Sequence, residues 1–95
     1  KLSAGRLAKH RRKIGAEYTI VVTPIYVPAV LEDIKSFPIV IIRSSTFAEY
    51  LYNHIDNKVR EIDYEDFDKI ISNNFGEDIS RKISNLTLEK FSIKQ

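Results

Sequence analysis

Apolar positions along this chain change period several times, and each change marks an element boundary. Between Ser3 and Gly15, the residues Ala4, Leu7, Ala8 and Ile14 recur at helical spacing. Ser3 suits an N-cap there, and Gly15 suits the left-handed position that ends a helix. This first helix is expected to lay Leu7 and Ile14 on a sheet. Residues 18–23 then abandon the helical period for an almost unbroken β-branched run, the pattern of a strand covered on both faces in a parallel sheet. Pro24 and Pro28 bracket a loop. Pro28 fits the first turn of a second helix, expected over residues 29–37, and Pro38 stops it. A second buried strand follows at Ile39–Arg43. Ser44, Ser45 or Thr46 can then cap a third helix through Phe47, Tyr50, Leu51 and His54.

Two apolar strands joined by a helix imply a right-handed parallel crossover. Beyond it, Asp63 is placed to cap an acidic amphipathic helix through Phe67, Ile70, Ile71 and Phe75, with Gly76 ending it. Ile79, Ile83 and Leu86 mark one more helix, and residues 88–93 fit either helix or strand. The expected fold class is α/β, a parallel strand pair with a crossover helix and a helical C-terminal region. Residues 1–55 form an αβαβα core portion and residues 56–95 a helical extension of the same domain. Two parallel strands are too few for a stable sheet. The domain is therefore expected to be incomplete, its sheet finished by an N-terminal half or an oligomeric partner. A start on Lys1-Leu-Ser and the lack of any Met lead to the same expectation, a fragment of something longer.

Composition narrows the class without naming a chemistry. Ninety-five residues, 43% of them hydrophobic and 29% charged, suit one globular unit. No apolar run approaches the ~18 to 20 residues of a membrane-spanning helix. No signal-peptide pattern is present either, so no membrane partner is expected and a cytoplasmic location is the default. Without Cys there is no disulfide frame and no thiolate metal site. Charge changes the picture more. Six of the fifteen Lys and Arg, and none of the thirteen Asp and Glu, fall within the first thirteen residues. A charge run usually only solvates a face. Concentrated on one helix with no compensating acid, this one makes a field suited to a polyanion, and nucleic acid is the expected partner. Arg6, Lys9, Arg12 and Lys13 are the candidates for phosphate contact, mostly independent of base sequence. Arg11 falls nearer the apolar stripe.

Other candidates carry weaker signals. Arg43-Ser44-Ser45-Thr46 joins a strand C-terminus to a helix N-terminus, where free amides, hydroxyls and Arg43 can meet an anion. Simple capping accounts for the hydroxyls equally well. Tyr26 and Thr23 share that edge. Asp33-Ile34-Lys35 has the letters of a DxK motif, but in mid-helix its two charges point to different sides, so it is expected to be solvated surface. His10 and His54 lack metal-ligand spacing and are expected at the surface. A Ser-His-Asp arrangement and a glycine-rich phosphate loop are both missing.

The stretch Lys1-Leu-Ser-Ala-Gly-Arg-Leu-Ala-Lys-His-Arg-Arg-Lys-Ile-Gly-Ala-Glu-Tyr-Thr-Ile-Val-Val-Thr-Pro24, with the later strand Ile39–Arg43, resembles the C-terminal half of a PD-(D/E)xK restriction-endonuclease domain, as in type IIS-like members. In that family a helix and three antiparallel strands carry an Asp and then a (D/E)xK. A helix, a parallel strand and usually further αβ elements follow. The resemblance covers roughly half the chain and rests on element order and texture. It implies that Lys1 is the catalytic lysine, acting on the attacking water and on charge developing at the scissile phosphate. It also implies that the carboxylates holding Mg²⁺ lie upstream of Lys1, so that this chain contributes no metal ligand and is inactive alone. On this reading the chain is the DNA-binding C-terminal portion of a Mg²⁺-dependent DNA endonuclease of a restriction system. The alternative is a non-catalytic nucleic-acid-binding α/β module. A third reading has the acidic region 56–78 meeting a basic partner.

Overall fold

The computed structural model describes residues 3–56 and 65–91. Their order is α1 (Ala4–Ile14), β1 (Thr19–Thr23), α2 (Ala29–Ile34), β2 (Ile39–Arg43), α3 (Ser44–Asp56), α4 (Glu65–Ser72) and α5 (Ser80–Phe91). In β2, four consecutive β-branched residues, Ile39 to Ile42, are fully buried. Such a run has no polar face and is stable only with both sides of its sheet covered. That is what the fold provides. Ile39 and Ile41 pack with Ala4 and Leu7 of α1 and with Leu31 and Ile34 of α2. Val40 and Ile42 face the other way, onto Tyr50 of α3, Phe67 and Ile71 of α4, and Ile83 of α5. The result is helix, sheet and helix in three layers. Among the described residues no helix is long and apolar enough to cross a membrane.

The expected parallel pair is present, in register from Thr19↔Ile39 to Thr23↔Arg43. The structure adds a third pass that the sequence reading assigned to helix ends. Residues 76–79 run along the free edge of β2: Gly76 N–H donates to Ile39 O at 2.7 Å, Ile41 N–H to Glu77 O at 3.0 Å, and Ile79 N–H to Ile41 O at 2.9 Å. A parallel bridge joins Ile41 to Asp78. Gly76 therefore does not stop α4, which already ends at Ser72, and Ile79 precedes α5 rather than opening it. Gly76 is needed for another reason. Its φ is 82°, and a Cβ there would stand 2.9 Å from Lys35 O. Gly76→Ala is expected to lower stability by about 1 to 3 kcal/mol, combining a left-handed backbone with a clash against main chain. Urea unfolding followed by circular dichroism measures it, and an unchanged midpoint would show that the close approach is relaxed in solution.

Four further expectations need correction. The strand expected to be covered on both faces, β1, is an edge strand among the described residues, half-buried along most of its length and with Val22 43% exposed. Ile14 is 63% exposed instead of lying on the sheet. The buried stripe of α1 runs through Ala4, Leu7, Ala8 and the half-buried Arg11, and Ile14 falls at its margin in the last turn. The second helix stops at Ile34, where residues 35–37 tighten into a turn with Phe37 N–H on Ile34 O. His54 is not at the surface. It is fully buried, edge-on to the rings of Tyr50 and Phe91, and burial, with Lys90 nearby, holds its pKa below the ordinary imidazole value. Asp33 and Lys35 are exposed as expected with Ile34 buried between them, but the triplet lies at the end of α2 rather than in mid-helix, with Lys35 just past its last residue. The expected cap Asp63 lies outside the described residues.

Candidate nucleic-acid interface

α1 is positioned by small residues. Ala4 and Ala8 are buried against the sheet layer, and their size lets the helix lie close to it. Arg11 spends its charge locally, donating from Nη1 to Ala16 O at 3.0 Å. Gly15, at φ 75°, closes the helix with Gly15 N–H on Arg12 O and Ala16 N–H on Arg11 O. The face left over is basic. Arg6, Lys9, Arg12 and Lys13 are all exposed, as is His10. Arg6, Lys9, His10 and Lys13 fall within about 100° of one another around the axis, with Arg12 flanking them. Arg12 and Lys13 also sit in the last turn, where the negative end of the helix dipole offsets part of their repulsion. Among the described residues the two ion pairs, Lys35–Glu32 and Lys69–Glu65, both lie elsewhere. Among the described residues the four cations of α1 thus have no acidic partner.

A second group of candidates gathers where the strands end. β2 passes straight into α3, so that Arg43 is the last strand residue and Ser44 the first helical one. Arg43 is exposed and Ser44 half-buried. The Arg43 guanidinium lies 5.5 Å from the centroid of the Tyr26 ring. Tyr26 OH in turn donates to Asp78 Oδ2. Ser80 N–H donates to Asp78 Oδ1 at 2.9 Å, and Arg43 N–H donates to Ser80 Oγ at 2.8 Å. Burial draws the Asp78 carboxyl upward. The bonds from Ser80 and Tyr26, with Arg43 close by, outweigh it and hold Asp78 below the usual carboxylate range. Burial and the bond to Asp78 push the Tyr26 phenol up. Thr23 turns its hydroxyl to Ile25 O and stays outside this network.

The sequence reading singled out Arg43, Ser44 and Tyr26 but missed Asp78 and Ser80. Asp-x-Ser ahead of a helix is a legible capping signal. Its link to a tyrosine 52 positions earlier is not. None of the hydrogen bonds, ion pairs or ring contacts among the described residues joins the basic side chains of α1 to Arg43 or Ser44. Lys1 lies outside the described residues. Among the described residues no three His, Asp or Glu side chains gather closely enough to hold a metal ion.

Over 90 residues, 95% of the chain, the sequence is 54% identical to the type II restriction enzyme HgaI of Avibacterium volantium. The chain spans 18% of that enzyme's length. It is therefore homologous to one segment of a restriction enzyme. No family model matches the chain, and no solved structure matches it.

Proposed function

We propose that this chain is the DNA-backbone-gripping segment of a type II DNA endonuclease of the PD-(D/E)xK kind. The observation that carries the reading is the 54% identity, sustained over nearly the whole chain, to a restriction enzyme. Two features of the fold support it. The exposed face of α1 is basic and free of ion pairs among the described residues. The outer edge of β1 is open there, so strands from elsewhere in a longer protein, or from a partner, can extend the sheet.

In this reading Arg6, Lys9, Arg12 and Lys13 meet phosphates, and Arg43 with Ser44 makes a second contact. Lys1 is the catalytic lysine. The Mg²⁺ ligands come from carboxylates upstream of Lys1, and cleavage needs them. Duplex DNA is accordingly expected to bind the chain weakly, with the affinity falling steeply as salt rises. Five phosphate contacts, four from α1 and one from Arg43, give a slope of about −4 to −5 in log K against log salt. Fluorescence anisotropy with a short labelled duplex measures this. Salt-independent binding, or none at low salt, rules out the backbone grip. Mg²⁺-dependent cleavage by the chain alone rules out ligands supplied from upstream.

A further inference from the structure

The end of the parallel sheet holds an arginine whose main chain and side chain are both fixed by residues distant in sequence. Arg43 N–H is tied to Ser80 Oγ, and its guanidinium lies against the Tyr26 ring. The far end of that ring is fastened by its hydroxyl to Asp78. Asp78 is itself anchored twice over, by Ser80 N–H and by the parallel bridge to Ile41. The loop carrying Tyr26 is thereby clasped across β2 to the segment before α5. Nothing in this clasp uses the guanidinium's own N–H groups. Among the described residues Arg43 makes neither an ion pair nor a side-chain hydrogen bond, and it is exposed. A planar guanidinium held on an aromatic face loses less freedom when it engages an anion, because its fork is already oriented.

We propose that Tyr26, fastened by Asp78, is a positioning residue that holds the Arg43 fork ready for the oxygens of one phosphodiester. The inference rests on the proposed DNA contact and deepens it. It gives Arg43 a preorganised geometry and gives Tyr26 and Asp78 a role that the sequence did not suggest. Asp78 stays an anion near Arg43 and offsets part of the fork's pull on a phosphate, but its two oxygens are taken by Tyr26 and Ser80, which leaves the guanidinium N–H groups to an incoming anion.

Two measurements on the 95-residue chain test it. The first needs no DNA. The Arg43 Nε–Hε group should show a rigid heteronuclear NOE in the parent chain and a mobile one in Tyr26→Leu, with Tyr26→Phe between them. A mobile group in the parent, or equal rigidity in Tyr26→Leu, overturns the clasp. The second is duplex affinity in a double-mutant cycle. Arg43→Ala should weaken binding about tenfold and lower the salt slope by about one. Tyr26→Leu should weaken binding several-fold in the parent and have almost no further effect in Arg43→Ala. An equal loss in both backgrounds would mark Tyr26 as merely structural and overturn the proposal, as would an Arg43→Ala variant that binds like the parent. If the parent fails to bind duplex at all, the proposed DNA contact falls with it, whereas the NOE result judges the clasp independently.

Discussion

Replacing Lys9, Arg12 and Lys13 together by alanine is expected to lower duplex-DNA affinity about 10²- to 10³-fold at low salt, and to flatten the salt slope by nearly three. Each phosphate contact releases roughly one counterion, so three lost contacts remove most of the slope along with most of the affinity. The fold should survive the change. All three side chains are exposed, and none takes part in the ion pairs of the described residues. Alanine is the best helix former, which offsets the small dipole stabilisation lost with Arg12 and Lys13. The helix is anchored instead by Ala4, Ala8 and Leu7, which the variant leaves alone. The measurement is anisotropy across a salt series, with circular dichroism as the folding control. A folded triple variant that binds like the parent at low salt would falsify α1 as the contact surface.

How much of this could be read from the chain depends on whether the signal was local. β2 was legible because four β-branched residues between a proline and an arginine leave no helical alternative, and the strand fell at its expected residues, Ile39–Arg43. The end of α1 was legible because Gly15 takes the left-handed conformation the reading assigned to it. The pass along β2 at residues 76–79 was not, because Ile79 and Ile83 are four apart and read as one helical face. Ile79 belongs to both, since its N–H donates to Ile41 O on the strand edge while its carbonyl accepts Ile83 N–H as the helix begins. His54 was misplaced for a similar reason. A polar ring within α3 looks solvated until Tyr50 and Phe91 are seen to enclose it. Of the candidate site, the basic face of α1 was visible as composition. The Arg43 network joins Tyr26 to Asp78 across 52 positions and exists only through tertiary structure.

In the longer protein to which this segment is proposed to belong, Lys1→Ala is expected to lower DNA cleavage by about 10²- to 10³-fold, the cost of removing one preorganised electrostatic group from a charged transition state. DNA binding should change little. A lysine aimed at the attacking water and at charge developing on the scissile phosphate acts more strongly in the transition state than in the bound complex, so its loss appears in the rate of cleavage rather than in affinity. The α1 triple variant should show the opposite balance, with weaker binding at every salt concentration and cleavage recovering as DNA is raised to saturation. Single-turnover cleavage at saturating DNA separates the two effects, because it removes the binding deficit and leaves the chemistry. Undiminished single-turnover cleavage by Lys1→Ala would end the assignment of that lysine. A loss that disappears at saturating DNA would reassign it to the backbone grip, alongside Lys9 and Lys13.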